Sequence, residues 1–208
     1  MRPEYRNPDF LKMVDRVHDV VAGVHLPEEE AAPPPAPGRR AATPLIPLPP
    51  AHMGEILGLL EILSDAGGKM DIFAVDKMTE YDFGKTLAVV KAAELLDLVD
   101  TPKNDVLLTE LGRKVVAAPV DEKILLLRPR ILSLGTFTLV VRELAKDPDT
   151  PMTGEGVRDV LAAGLPTVSA SELFDTVVNW GRTVQLFEYD AASDQLALFS
   201  GRDDVPER

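Results

Sequence analysis

A proline-rich segment constrains this chain more than any other feature of its sequence. Residues 27–50, PEEEAAPPPAPGRRAATPLIPLPP, contain nine prolines among 24 residues. Because proline lacks a backbone N–H and fixes φ, this segment can form neither a helix nor a central strand. We expect an extended, polyproline-like and mobile linker. It separates a short N-terminal piece, residues 1–26, from a globular part that begins near residue 51.

The composition sets the limits on domain number and on the class of partner. The 208 residues correspond to one large domain or two small ones, and 45% hydrophobic residues can build a core. The net charge of −12 is the wrong sign for a protein held mainly by phosphate contacts. The absence of cysteine excludes disulfides, thiolate metal sites and a cysteine nucleophile.

The N-terminal piece is predicted to contain a helix over residues 8–24, PDFLKMVDRVHDVVAGV. Pro8 fits the first helical turn. Apolar residues recur there at helical spacing and form one face, at Phe10, Met13, Val14, Val17, Val20, Val21 and Val24. A helix this short needs another element to cover that face.

Residues 51–118 are predicted to form a first unit in the order helix, short helix, helix, hairpin, helix. The helices are expected over 51–66, 72–77, 83–98 and 110–117, with residues 69–73 as a bridge after Gly67 and Gly68 end the first. The third is expected to bury Leu87, Val90, Ala93, Leu95 and Leu96. Strands 99–100 and 106–108 flank a turn rich in Pro, Asn and Asp, and Thr109 caps the last helix. This is the winged-helix order, with the hairpin as the wing.

The rest of the chain is predicted to repeat a shorter version of that order. Residues 119–150 read as two connecting helices broken at Pro129. Residues 151–199 form a second unit, with helices over 154–163 and from Ser169 or Ser171 to about Arg182, then strands 186–189 and 195–198. Residues 200–208 are a charged tail that we expect to be disordered. The predicted fold is therefore α+β, mostly α, with two winged-helix-like units joined by helices.

Four stretches, taken in this order after the linker, resemble a known family. They are PLPPAHMGEILGLLEI (47–62), KMDIFAVDK (69–77), residues 83–98 and LLTELGRK (107–114). Residues 47–198 resemble the AAA-associated C-terminal domain, which follows the ATPase module of ABC transporters of the nitrate, sulfonate and taurine type. The start Asn7-Pro8-Asp9-Phe10 is similar to the last helix of such an ATPase module. The resemblance implies a regulatory or interaction domain whose partners are the ABC ATPase, the permease or both.

The sequence lacks the phosphate-binding loop that such an ATPase needs. That loop reads G-x-x-x-x-G-K-[ST], whereas the nearest candidate here is Gly67-Gly68-Lys69-Met70. It has no glycine five positions before Gly68 and no hydroxyl residue after Lys69. We therefore predict no enzyme activity, and any ATPase activity would belong to a missing or partner module. We predict no catalytic residues and no cofactor.

The competing interpretation is a winged-helix transcription regulator that binds DNA. Helix 83–98 would then be the recognition helix, and the candidate nucleic-acid contacts are Lys85, Lys91, Lys103, Arg113 and Lys114. Acidic residues accompany these cations, including Glu94 and Asp97 in the same helix. A continuous positive face in the folded protein would favour this alternative, but nucleic acid is the less favoured partner.

Aromatic residues on two strongly apolar helices are the candidate contacts with a protein partner. Trp180 and Phe174 lie in 171–183, and Phe137 lies in 130–145. Trp180 is either a core residue or an anchor for a partner. Homodimerisation through one of these helices is a further alternative. His18, His25 and His52 do not have metal-ligand spacing, so no metal site is predicted.

These observations predict a cytoplasmic protein that reaches the inner face of the membrane only through a transporter. No apolar run has the roughly 18–20 residues of a transmembrane helix. Residues 1–10 are charged and contain proline, unlike a signal peptide.

Overall fold

Residues 53–117 form four helices and three short strands in the computed structural model, which describes residues 45–79, 81–166 and 168–200. The helices are α1 (Met53–Asp65), α2 (Ile72–Thr79), α3 (Phe83–Leu95) and α4 (Glu110–Ala117). The strands are β1 (Lys69–Asp71), β2 (Val99–Asp100) and β3 (Asp105–Leu108), which form an antiparallel sheet in the order β1-β3-β2.

Local side-chain interactions explain where several of these elements begin and end. The Asp82 carboxylate accepts a hydrogen bond from the backbone N–H of Lys85 and caps α3. The Thr109 hydroxyl accepts one from the N–H of Gly112 at 2.9 Å and caps α4, as predicted. Gly112 is required for packing, because a Cβ at this position would overlap the carbonyl oxygen of Leu98.

Residues 120–198 form four more helices and a second three-stranded sheet. The helices are α5 (Val120–Ser133), α6 (Gly135–Leu144), α7 (Gly154–Gly164) and α8 (Ala170–Thr183). The strands are β4 (Met152–Thr153), β5 (Phe187–Asp190) and β6 (Gln195–Leu198), paired antiparallel in the order β4-β6-β5. The Ser169 hydroxyl accepts from the N–H of Glu172 and caps α8.

The predicted break at Pro129 is wrong. Helix α5 continues through Pro129 to Ser133, and α6 begins after Leu134, whose backbone is extended. Pro129 is exposed, so the carbonyl that loses its helical N–H partner can be hydrated. The chain turns instead where Leu134 enters the core at 7% exposure.

One continuous core joins the parts of the chain that carry the two sheets. The Trp180 indole N–H donates to the carbonyl of Ala51 at 2.7 Å, and the N–H of Met53 donates to the Asn179 side chain at 2.7 Å. Arg128 in α5 donates to the carbonyls of Val184 and Gln185 after α8. The Trp180–Ala51 bond is buried and therefore satisfies two polar groups that water does not reach.

Residues 45–50, which were predicted as the end of a mobile linker, pack on this core. Leu48 is buried, and the Thr136 hydroxyl donates to the carbonyl of Ile46. The predicted helix 8–24, the linker up to residue 44 and the tail from 201 lie outside the described residues.

The α+β, mostly helical fold class is confirmed, and the helix order in both halves is as predicted. The prediction missed β1 and β4, the third strand of each sheet, and treated 69–73 as a bridge. The winged-helix description and the division at residues 118 and 150 remain predictions. Within the described residues, no single helix is long and apolar enough to cross a membrane. Helices α5 and α6, whose axes are bent by 93° relative to each other, reach that length and composition only when they are taken together.

A candidate interaction surface on α2 and α3

The three aromatic residues that were candidates for partner contact lie in the core, which corrects that prediction. Trp180 and Phe137 have no exposed surface, and Phe174 is 2% exposed. Phe137 stacks between Trp180 and Phe187, with centroid distances of 6.1 and 6.3 Å. Helices α6 and α8 are apolar on more than one side because each packs against several elements, as a buried helix does.

Helix α3, the candidate recognition helix, presents no continuous basic face. The Lys85 ammonium lies 2.7 Å from the Glu55 carboxylate and donates to the carbonyl of Pro50 at 3.1 Å. Lys91 is exposed. The acidic Glu94 on the same helix accepts a hydrogen bond from the Thr101 hydroxyl.

The other candidate nucleic-acid contacts are dispersed over the turn and α4. Lys103 is exposed in the β2–β3 turn with a φ of 60°. Lys114 forms a 2.7 Å ion pair with Glu110, and the Arg113 guanidinium lies against Gly68. Lys85 and Lys114 are each paired with a carboxylate, and the other three candidates lie on α3, the β2–β3 turn and α4, so the five form no continuous basic face for phosphate contacts.

The ion pair between Glu55 and Lys85 also changes the pKa of the Glu55 carboxyl. Partial burial raises the pKa of the Glu55 carboxyl. The hydrogen bonds from Lys85 and from the His52 backbone N–H outweigh that effect and hold the pKa below its ordinary value. The pair therefore ties α1 to α3 and withdraws Lys85 from any partner.

The solvent side of α3 borders a shallow groove of about 380 Å³. One wall is the segment Pro47 to Pro50, and the other is formed by Gly84, Leu87, Ala88 and Lys91. Leu87 was predicted to be largely buried, but it is only partly buried and faces this groove. The side of α3 that lines this groove is thus mostly small or apolar, with Lys91 as its one charged residue.

An exposed aromatic patch, consisting of Phe73, Tyr81 and Phe83, continues this surface onto α2. Phe73 and Phe83 are 55% and 40% exposed, and their rings stack with centroids 5.5 Å apart and planes within 5°. Tyr81, in the turn between the helices, is 39% exposed. Phe83 and Leu87 are one helical turn apart, so the patch adjoins the groove.

Sequence reasoning missed this patch because both phenylalanines stand at a helix start, where periodicity says little about orientation. Phe73 was assigned both to the bridge, 69–73, and to the start of the helix predicted over 72–77, and Phe83 to the start of the helix predicted over 83–98. Asp71 accepts from the N–H of Phe73, and Asp82 caps α3 beside Phe83. These local signals fix the helix starts but not the side that each ring faces.

The described residues contain no group of three or more histidines and acids arranged to hold a metal ion. His52 is exposed at the start of α1, whereas His18 and His25 lie outside the described residues.

A comparison with protein families gives the context for this surface. The model of the family described as the C-terminal AAA-associated domain matches residues 73–190, more than half of the chain. This chain belongs to the C-terminal AAA-associated domain family. The match begins at Phe73 in α2 and ends at Asp190 in β5, so this AAA-associated domain includes the aromatic patch and the whole of α3. No curated protein and no solved structure matches the chain.

Proposed function

We propose that this chain is a non-catalytic regulatory or interaction domain associated with the ATP-binding subunit of an ABC importer. The importer class is the nitrate, sulfonate and taurine type that the sequence resembles. The observation that carries the proposal is the match over residues 73–190 to a family whose description names an association with AAA modules.

The surface chemistry supports a protein partner. Helix α3 offers Leu87, Ala88 and the adjoining Phe83, while Lys85 is held by Glu55. Exposed aromatic and apolar side chains that stand together are typical of protein interfaces. Nucleic acid would instead require a continuous basic face.

In the proposed mechanism, the domain contacts the ATPase dimer or the permease and changes the transport cycle without hydrolysing ATP itself. The part of the proline-rich segment before residue 45 would set the reach and therefore the effective concentration of the domain at its partner. The protein would act in the cytoplasm, at the inner face of the membrane through the transporter.

Affinity capture of the tagged full-length chain from its native cells tests this function. We expect mass spectrometry to find an ABC ATP-binding subunit or a permease enriched over an untagged control. Recovery of DNA or RNA polymerase without any transporter subunit would replace the proposal with the transcription-regulator alternative.

A second measurement tests the non-catalytic part. A fluorescent ATP analogue with magnesium should show no saturable binding to the purified chain, because the sequence has no phosphate-binding loop. Saturable binding that unlabelled ATP displaces would contradict the proposal.

A further inference from the structure

Half of the large apolar side chains that the described residues leave exposed fall within one stretch of eleven positions. Eight such side chains are exposed, and four of them are Phe73, Met78, Tyr81 and Phe83. Exposed apolar residues scattered singly need no explanation, whereas a cluster of them marks an interaction site. The stacked pair Phe73–Phe83 gives this cluster a flat, preformed centre.

The charge around the aromatic patch is acidic. The described residues of 71–82 include Asp71, Asp76 and Asp82 against a single base, Lys77. The caps Asp71 and Asp82 stand next to the two stacked rings, two positions before Phe73 and one before Phe83. A complementary partner therefore needs positive charge beside apolar side chains.

The same combination of groups already holds an arginine elsewhere in this fold. The Arg158 guanidinium lies 4.5 Å from the centroid of the Phe174 ring and 3.0 Å from the Asp194 carboxylate. A ring face and a carboxylate thus bind one guanidinium together, by cation–π attraction and an ion pair. The aromatic patch offers rings and carboxylates of the same kind on the surface.

We infer that the aromatic patch is the docking site for a partner protein segment that carries arginine or lysine beside apolar side chains. This inference rests on the proposed function for the identity of the partner, an ATP-binding subunit or permease. Aromatic rings bury large area at low entropic cost, and arginine is enriched with them at binding hot spots. Polyanions and anionic membranes are disfavoured by the acidic border.

Two labelled peptides test the chemistry of the patch on the purified full-length chain. One is an amphipathic peptide of leucine and arginine at helical spacing, and the other replaces each arginine with glutamate. Fluorescence anisotropy should show saturable binding of the leucine–arginine peptide, weakened by salt, and at least about tenfold weaker binding of its glutamate counterpart. Equal binding of the two peptides, or no saturable binding of the first, would overturn the inference.

Matched variants locate the binding on the surface. Phe73→Ser with Phe83→Ser should weaken binding of the leucine–arginine peptide about tenfold or more. Val120→Ser with Leu125→Ser, which alters two exposed apolar side chains of α5, should leave it unchanged. Unchanged affinity in the phenylalanine variant would place the peptide elsewhere on this acidic chain and refute the patch.

A charge variant that preserves the fold separates electrostatics from packing. Asp71→Asn with Asp82→Asn keeps a side-chain oxygen for each helix cap and removes the two charges. We expect weaker peptide binding and a smaller salt dependence. Vesicles of anionic lipid and of neutral lipid test a membrane as the alternative occupant, and we expect the chain to bind neither. Binding to anionic vesicles that requires Phe73 and Phe83 would overturn the inference.

Capture from native cells with the phenylalanine variant separates this inference from the proposed function. If the variant still recovers the transporter subunits, the patch inference fails and the proposed function stands. If the wild-type chain recovers none while the leucine–arginine peptide binds the patch, the proposed function fails alone.

Discussion

The indole N–H of Trp180 donates to the carbonyl oxygen of Ala51 at 2.7 Å, across 129 positions of sequence. Both residues have no exposed surface. The bond ties α8 to the chain segment that enters α1, and it explains why the single tryptophan belongs to the core and not to an interface.

Trp180→Phe should lower the free energy of unfolding by about 2–4 kcal/mol, because it removes ring volume and leaves the Ala51 carbonyl buried without a donor. Urea unfolding followed by circular dichroism measures the change. The exposed substitution Val120→Ser serves as the control and should change stability by less than about 0.5 kcal/mol. An equally small effect of Trp180→Phe would show that water satisfies the carbonyl.

Gly112→Ala should destabilise the fold by about 1–3 kcal/mol, since the new methyl group would overlap the carbonyl oxygen of Leu98. Gly58→Ala is the matched control in α1, where a Cβ meets nothing within 4 Å. It should stabilise the protein by about 0.5–1 kcal/mol through helix propensity. Thermal unfolding of the two variants should thus shift in opposite directions, and a shift in the same direction would contradict the close approach of α4 to Leu98.

Pro129→Ala should stabilise the protein by about 1 kcal/mol, because it restores a helical N–H donor in the middle of α5 at an exposed position. The expected gain is smaller than the full cost of a proline inside a helix, because alanine also raises the conformational entropy of the unfolded chain. Chemical denaturation measures it. A loss of stability would mean that the packing of α5 on the core depends on the geometry imposed by proline.

The ion pair between Glu55 and Lys85 predicts a pH dependence with a defined sign. The folded-state pKa of Glu55 lies below its ordinary value of 4.5. Its stabilising contribution is therefore present above that value and is lost as the pH falls through the lower folded-state pKa. The stability difference between the wild type and Glu55→Gln should shrink from about pH 7 to about pH 3 in urea titrations.

A double-mutant cycle provides the control for this pair. In a Lys85→Met background, Glu55→Gln should cost less at neutral pH than it does in the wild type, since the hydrogen bond and the attraction are already lost. If Glu55→Gln lowered the stability equally in both backgrounds, the pH dependence would come from the hydrogen bond that the His52 N–H donates to Glu55.

Local chemistry made much of the helical framework predictable. Thr109 and Ser169 each precede a helix that they cap, and Gly67 and Gly68 end α1 with φ values of 85° and 92°. These signals act over a few residues and need no partner from elsewhere in the chain. The α+β class followed from their order.

The third strand of each sheet was not predictable in this way. Strand β1 has three residues and pairs with β3, where Lys69 faces Leu107, and β4 has two residues and pairs with β6, where Met152 faces Leu196. Neither strand is long enough to show an alternating pattern, because that pattern needs several residues. Their strand conformation comes from partners that lie far away in sequence.

The sequence by itself determined which residues could cap a helix, which segment could not be regular and which family the chain resembles. Only the tertiary structure decided which aromatic side chains face solvent. Phe137, Phe174 and Trp180 looked suited to an interface and are buried, whereas Phe73 and Phe83 drew no attention and form an exposed stack. The physical reason is that hydrophobicity is a property of each side chain, while burial depends on what packs against it. That depends on contacts such as Trp180 to Ala51, which no local pattern encodes.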